Sequence, residues 1–174
     1  MSEQGFKSAK QGAESGEHGT TTEGVMSDPD PEFGVRQPEM VYREGPGAYA
    51  VIRGTDNRLA FVSSKGGRLF LPGGGLRPGE PPEDALLREI IEEIGWRAHI
   101  LDRIGGATQF QAVEGEGYFA IRAIYFRARL IEQVTTGCEH EMVWLPAATA
   151  TALMVRESDA WAISRAYSRD AMLR

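Results

Sequence analysis

The sequence of 174 residues contains a single cysteine, Cys138. One thiol excludes a disulfide within the chain, so we expect the reducing conditions of the cytoplasm. No apolar run approaches the roughly 18 residues that cross a bilayer, and the first ten residues lack the apolar segment of a secretory signal. These absences favour a globular protein with no membrane partner.

The sequence also lacks an excess of positive charge. Its net charge is −6, and residues 1–40 account for −5 of that total because they carry eight acidic and three basic side chains. The remaining residues are nearly neutral, whereas proteins that bind duplex nucleic acid present broad basic surfaces. We therefore expect no duplex nucleic acid partner. The oligomeric state stays open, with a homodimer among the alternatives.

The N-terminal region has almost no aliphatic residues with a regular spacing. It is rich in Gly, Ser, Glu, Gln and Thr, so it cannot bury enough apolar surface to offset the entropy of ordering. This composition predicts a disordered acidic tail over residues 1–38 and one folded domain over residues 39–174. No internal repeat of 20 to 50 residues is present, which excludes a solenoid.

The most informative stretch, residues 74–96, is a glycine-rich loop followed by a short helix. Pro81 and Pro82 suit the first turn of a helix, and Gly95 suits the left-handed residue that ends one. Between them, apolar residues recur at i, i+3, i+4 and i+7, which predicts a buried stripe. The residues of this stripe are Leu87, Ile90, Ile91 and Ile94.

Three carboxylates, Glu89, Glu92 and Glu93, fall on the side of the helix opposite the predicted stripe. In an arbitrary amphipathic helix this pattern is typical of a solvated acidic face. The alternative is a cation site, since like charges at i and i+4 destabilise a helix unless a cation lies between them. The helix alone does not decide between the two.

The spacing of the whole stretch decides in favour of the cation site. Gly74, Glu80, the pair Arg88-Glu89, the pair Glu92-Glu93 and Gly95 occupy fixed positions whose joint occurrence by chance is on the order of 10⁻⁷ to 10⁻⁶. The stretch closely resembles the Nudix box of the Nudix hydrolases. Only its last position departs, because Trp96 stands where the family usually has an aliphatic residue.

The resemblance implies a fold and an activity. The fold is an α/β protein of the α+β type, an α/β/α sandwich with a mixed sheet and a loop–helix–loop motif. The activity is Mg²⁺-dependent hydrolysis of a diphosphate bond in a nucleoside diphosphate linked to another moiety, such as a nucleoside triphosphate, with Mn²⁺ as a substitute metal. The alternative is a Nudix-fold module that binds a nucleotide without cleaving it.

The resemblance also implies roles for individual residues. It makes Glu89, Glu92 and Glu93 metal ligands, with a carbonyl such as that of Gly73 completing the shell. Arg88 and Glu80 hold the loop against the helix. The general base is open: the candidates are Glu93, then two carboxylates of a later acidic loop, then two of an earlier one. We favour the later loop for an additional ligand or base. In order, these loop residues are Glu139 and Glu141, then Glu114 and Glu116.

The rest of the chain predicts short strands on both sides of the motif helix, which favours a mixed sheet. The aromatic residues Phe110, Tyr118, Phe119 and Trp144 could stack on a base, although aromatics at strand positions are more often part of the core. Predicted strands cover residues 48–52, 59–63, 68–72, 97–103, 109–111, 118–130 and 142–146, and predicted helices cover 147–153 and 158–171.

Overall fold

The computed structural model describes residues 29–64 and 67–172, without the side chains of 169–172. Most of the predicted tail, residues 1–28, lies outside the described residues. The described elements, in chain order, are β1 (Glu32–Phe33), β2 (Tyr42–Ile52), β3 (Arg58–Ser63), β4 (Leu69–Phe70), β5 (Gly73–Gly75), α1 (Pro82–Ile94), β6 (Trp96–Val113), β7 (Gly117–Gln133), β8 (Glu141–Pro146), α2 (Ala147–Leu153) and α3 (Glu157–Met172).

The strands form two sheets. The larger sheet has the order β1-β6-β7-β2-β5, and it is mixed because β1 pairs with β6 and β2 with β7 in parallel while the other pairs are antiparallel. The smaller sheet, β4-β3-β8, is antiparallel. The predicted mixed sheet is confirmed, and the sequence did not show that three strands separate into a second sheet.

The alternation of side chains along β2 explains why helices lie on both faces of the larger sheet. Ala48, Ala50 and Ile52 pack in the core cluster that contains α1, whereas Tyr49 and Val51 pack in the cluster that contains α2 and α3. A strand sends successive side chains to opposite faces, so helices cover both faces of β2. The predicted α/β/α sandwich is thereby confirmed.

Helix α1 has the predicted ends but a different buried face. It begins at Pro82, and the left-handed Gly95 (φ 74°) ends it by donating its N–H to the carbonyl of Ile91. The predicted stripe is partly wrong, because Ile91 is 36% exposed and Leu87 is only half-buried. The small residue Ala85 faces the core, on the side of the helix away from Ile91. The residues of α1 that are buried are Ala85, Leu86, Ile90 and Ile94.

Residues 29–38 do not follow the prediction of a disordered tail. Strand β1 pairs in parallel with β6, the ring of Phe33 lies 6.1 Å from that of Trp161, and Gly34 donates its N–H to Glu157 at 2.9 Å. The aromatic residue Phe33 anchors this segment. The composition of the segment did not indicate this, because its average is polar. For residues 1–28 the tail stays a prediction.

The segment predicted as two pieces, 97–103 and 109–111, is the single 18-residue strand β6. Its register with β7 shifts at three places, the last between Arg103 and Gly105. A Cβ on Gly106 would meet the carboxylate of Asp30, and this exposed side chain would have to shift. No helix among residues 29–64 and 67–172 is long and apolar enough to span a membrane.

Candidate active site

The glycine turn places backbone directly against helix α1. Gly73 pairs with Tyr49 of β2, and its φ of 130° is a conformation that residues with a side chain rarely adopt. A Cβ on Gly73 would overlap the carbonyl of Ala48, and one on Gly74 would lie 2.5 Å from the carboxylate of Glu89. The turn therefore requires glycine at position 73, whereas a side chain at position 74 would displace the Glu89 carboxylate.

Glu93 is the carboxylate that the turn holds. The N–H of Gly73 donates to its Oε2 at 2.9 Å, and its side chain is 13% exposed. Burial raises the pKa of Glu93 to about 7, with a further increase from the charges of Glu89 and Glu139 that the Gly73 N–H partly opposes. A carboxyl group with this pKa can both hold and release a proton at neutral pH.

Arg88 connects the loop to the other carboxylates. Its Nε and Nη2 donate to the two oxygens of Glu80, each at 2.8 Å, and Nη2 also donates to the carbonyl of Gly75 at 3.0 Å. Its Nη1 donates to Glu89 at 2.6 Å and to Glu92 at 3.1 Å. The hydrogen bonds to Glu80 and Glu89 raise the pKa of Arg88. In return, Arg88 and the backbone N–H of Arg77 lower the pKa of Glu80 to about 2.

The contacts of these carboxylates bear on the metal ion that the motif implies. Among residues 29–64 and 67–172, no three His, Cys, Asp or Glu side chains are arranged so that they could hold a metal ion as they stand. The donors nevertheless fit a hard divalent cation in kind: Glu89, Glu92 and Glu93 offer carboxylate oxygens, each with more lone pairs than its present partners use. The charge of Glu89 raises the pKa of Glu93, and a cation between the two carboxylates would relieve this repulsion. Coordination by the Gly73 carbonyl stays a prediction.

The acidic loop before β8 docks on the end of α1. The N–H groups of Glu139 and His140 donate to the carbonyls of Glu92 and Glu93 at 3.3 and 3.1 Å, and His140 Nε2 lies 3.8 Å from Glu93 Oε1. The structure does not bring Glu141 to this point, because Glu141 is exposed on β8 opposite Ser63. Of the later carboxylates, Glu139 is the one whose charge raises the pKa of Glu93.

The remaining candidates for the base lie elsewhere. Glu114 and Glu116 lie at the turn between β6 and β7, where the carbonyl of Glu116 accepts a hydrogen bond from Arg43. Neither residue lines the cleft beside Glu93. The structure therefore brings six of the predicted site residues together at the turn and the helix: Gly73, Glu80, Arg88, Glu89, Glu92 and Glu93.

A cleft of about 240 Å³ opens beside Glu93. Gly73, Gly74, Glu93 and His140 form part of its lining, and the rest is largely apolar. None of the four aromatic residues that could have stacked on a base lines this cleft. Phe110 packs against Tyr42 (5.3 Å between ring centroids), Phe119 lies under Arg43 (4.4 Å), and Trp144 would contact a Cβ at Gly54.

The sequence did not indicate two polar residues that line the cleft, Ser64 and Arg156. The Arg156 guanidinium carbon lies 4.9 Å from the centroid of the Tyr49 ring and 5.1 Å from that of Phe70. No motif marks Arg156, which lies between α2 and α3. An arginine just before a helix is an ordinary surface residue, so no signal in the sequence could have identified it.

With the turn, the carboxylate helix and the cleft established, the class of protein is clear: the chain belongs to the NUDIX domain family, whose model matches residues 43–167. The resemblance identified from the motif is thereby confirmed.

Two curated relatives are similar over shorter stretches. A candidate 8-oxo-dGTP diphosphatase of Bacillus subtilis is 38% identical over 60 residues, which are 34% of this chain and 40% of that protein. The nucleoside triphosphatase NudI of Escherichia fergusonii is 46% identical over 52 residues, which are 30% of this chain and 34% of that protein. The chain thus spans between a third and two fifths of the length of these relatives.

Solved structures support the fold. A NUDIX hydrolase from Nitrosomonas europaea has a TM-score of 0.59 and 19% identity, covering 72% of this chain and 90% of that one. A MutT protein from Methanosarcina mazei has a TM-score of 0.58 and 22% identity, covering 75% and 96%. At these identities the likeness shows the fold alone.

Proposed function

We propose that the protein is a Mg²⁺-dependent hydrolase of the diphosphate bond in a nucleoside diphosphate linked to another moiety, with nucleoside triphosphates as the first candidates. The observation that carries the proposal is Glu93, a buried carboxyl group of pKa about 7 held by the Gly73 N–H at the cleft. The names of the two curated relatives, a diphosphatase candidate and a nucleoside triphosphatase, support nucleotide substrates.

Each residue has a role in this proposal. Glu89, Glu92 and Glu93 hold the metal, with the carbonyl of Gly73 as a further ligand and Mn²⁺ as a substitute. Bound there, a divalent cation would polarise a phosphoryl oxygen and lower the pKa of a water molecule. Arg88 and Glu80 are positioning residues, because their hydrogen bonds orient Glu89 and Glu92 and tie the loop to α1.

Glu93 is our choice for the group that accepts a proton from the attacking water. A general base must lie within reach of the attacking water, and Glu93 lines the cleft beside the Gly73 turn. We prefer Glu93 to Glu141, since Glu141 is exposed on β8 and does not line the cleft. Glu139 is the second choice. We also propose a cytoplasmic location, which suits the single cysteine.

The test is release of phosphate and pyrophosphate from a panel of nucleotides. The panel spans normal and oxidised triphosphates, dinucleotide polyphosphates and nucleotide sugars, each with Mg²⁺, Mn²⁺ or EDTA. We expect turnover with metal and none with EDTA, while thermal shifts report binding independently. The matched control is Glu132→Gln, which changes an exposed carboxylate paired with Arg97 outside the site. Thermal shifts without turnover under any metal would instead establish a nucleotide sensor.

A further inference from the structure

The cleft contains buried side-chain atoms that have no hydrogen-bond partner in the described part of the chain. Among residues 29–64 and 67–172, the buried atoms without a hydrogen bond include Nε and Nη1 of Arg156 and Oγ of Ser64, and both residues line the cleft. Folded proteins pair more than nine tenths of their buried polar groups. Two such residues in one cleft therefore indicate a place where a ligand supplies the missing hydrogen bonds.

Arg156 is held in a fixed position. The rings of Tyr49 and Phe70 lie within 5.1 Å of its guanidinium carbon, and the charge of Asp159 acts on it from the first turn of α3. Asp159 is itself fixed, because its Oδ1 accepts a hydrogen bond from the hydroxyl of Tyr125 at 2.9 Å. Arg156 lines the cleft and Asp159 does not. The cleft thus presents a preorganised cation, and the one carboxylate in its lining, Glu93, is held by the Gly73 N–H.

The size and lining of the cleft restrict the ligand group. Its volume of about 240 Å³ is below the roughly 300 to 1,000 Å³ of pockets that take whole drug-sized ligands, so it accommodates one part of a nucleotide. Val62, Leu71 and Phe70 make much of the lining apolar, which suits a flat heterocyclic base better than a strongly hydrated phosphate. The phosphates would then lie towards Glu93 and the glycine turn.

A guanidinium group donates hydrogen bonds and accepts none. An oxo group on a purine base accepts such a bond, whereas the amino group at the same position of adenine would place a donor against a donor. We infer that Arg156, assisted by the hydroxyl of Ser64, selects nucleotides whose base carries a 6-oxo group, such as guanine and hypoxanthine, over adenine nucleotides. The inference rests on the proposed function in that it takes the ligand to be a nucleotide.

The test compares 6-oxo and 6-amino purines in two independent measurements. Calorimetric binding of GMP, IMP and AMP without metal reports recognition, and kcat/KM for GTP and ATP with Mg²⁺ reports turnover. We expect the wild-type protein to favour the 6-oxo purine by about 10-fold to 100-fold, the size of a good arginine-to-guanine contact. Arg156→Gln, whose amide also accepts hydrogen bonds, should reduce this ratio to below about threefold. Ser64→Ala should reduce it by a smaller factor.

The matched control is Arg165→Gln. Arg165 lies on α3 like the residues that follow Arg156, has its guanidinium carbon 5.5 Å from the centroid of the Trp161 ring and donates to the carbonyl of Ile104, but it does not line the cleft. This variant should keep the wild-type ratio. Because Arg156→Gln leaves Asp159 without its cation, Arg156→Lys and Ser64→Ala keep the inference testable if the first variant does not fold.

The outcomes separate this inference from the proposed function. A preference for GMP over AMP that Arg156→Gln abolishes supports the inference even if no nucleotide is hydrolysed. Hydrolysis with the same GTP to ATP ratio in the wild-type protein, Arg156→Gln and Ser64→Ala overturns the inference and leaves the function standing. An equal loss for all nucleotides in Arg156→Lys also overturns it, because the arginine would then hold a phosphate or the fold.

Discussion

The two arginines beside the cleft, Arg88 and Arg156, are in opposite situations. Arg88 donates to three carboxylates and a carbonyl, all of them from the loop and the helix that it joins. Arg156 is packed against two aromatic rings and keeps two buried nitrogen atoms without a partner in the described residues. An arginine whose donors are used within the protein positions other groups, whereas one with unused donors in a cleft is available to a ligand.

Two carboxylates of the same motif show the same contrast. Hydrogen bonds from Arg88 lower the pKa of Glu80 to about 2, while burial raises the pKa of Glu93 to about 7. Glu80 is therefore ionised at neutral pH, as a structural ion pair requires. Glu93 changes protonation near neutral pH, as proton transfer requires. The difference between them comes from their surroundings and not from residue type.

The largest expected effect is on turnover. Glu93→Gln and Glu92→Gln should each lower kcat by roughly a thousandfold, because metal-assisted catalysis supplies several kcal/mol. Steady-state phosphate release measures this change, and circular dichroism checks that the fold is retained. Near-normal turnover in both variants would contradict the contrast between the carboxylates, and it would contradict the assignment of the metal ligands.

Substitutions at two neighbouring glycines should affect stability and catalysis differently. Gly73→Ala should lower the free energy of unfolding by about 3 kcal/mol or more, because Gly73 has a φ of 130° and a Cβ there would overlap the Ala48 carbonyl. Gly74→Ala should change it by about 1 kcal/mol or less, since its Cβ meets the movable carboxylate of Glu89. Gly74→Ala should still lower kcat about tenfold by displacing that carboxylate.

Urea unfolding and kcat measured on both variants test this pair. A stable Gly73→Ala protein would show that the turn tolerates rearrangement. Full activity of Gly74→Ala would show that the position of the Glu89 carboxylate is unimportant.

Much of helix α1 and its carboxylates could be predicted from the sequence, because the features that determine them are local. The ends of α1 follow from Pro82 and Gly95, and the spacing of the motif identifies the carboxylates. Which face of α1 is buried could not be predicted, since Leu86 and Leu87 are equally apolar and only packing against the sheet distinguishes them. The exposure of Glu141 likewise depends on how β8 pairs with β3.

The other side of the cleft could not be predicted at all. Ser64 follows β3 and Arg156 precedes α3, so contacts between distant parts of the chain, among them the bridge between Leu69 and Met154, bring them into one cleft. Strand β1 was missed for a related reason, because the gain from burying Phe33 against Trp161 exists only once α3 is in place. Long-range packing sets both features, and neither leaves a periodic pattern in the sequence.

The pH dependence of stability should distinguish Glu93 from Glu80 in the metal-free protein. The folded-state pKa of Glu93 is raised from 4.5 to about 7, so its contribution is complete below pH 4.5 and is lost as the pH rises through 7. Glu93→Gln should therefore be more stable than wild type at pH 8, by about 3 kcal/mol, and should match it at pH 4.

Glu80 should show the opposite sign. Its pKa is lowered to about 2, so its stabilising contribution is present above pH 4.5 and is lost as the pH falls through 2. Glu80→Gln should be less stable than wild type at pH 8. Urea unfolding of both variants in EDTA at several pH values measures this, and the same sign for both would contradict the contrast between the two carboxylates.

The smallest expected effect concerns the loop before β8. The charge of Glu139 raises the pKa of Glu93, so Glu139→Gln should lower the midpoint of the acidic limb of kcat/KM by about half a pH unit. Glu141→Gln is the matched control, two residues along the chain, exposed and paired with β3, and it should leave the midpoint unchanged and kcat within about twofold. Because Glu139 is exposed, 0.5 M salt should screen its effect on the pKa of Glu93, so the midpoints of the two variants should become the same.

A large loss of kcat in Glu141→Gln alone would mean that the loop rearranges to bring a second carboxylate to the metal. The general base would then be a residue of β8 and not of α1.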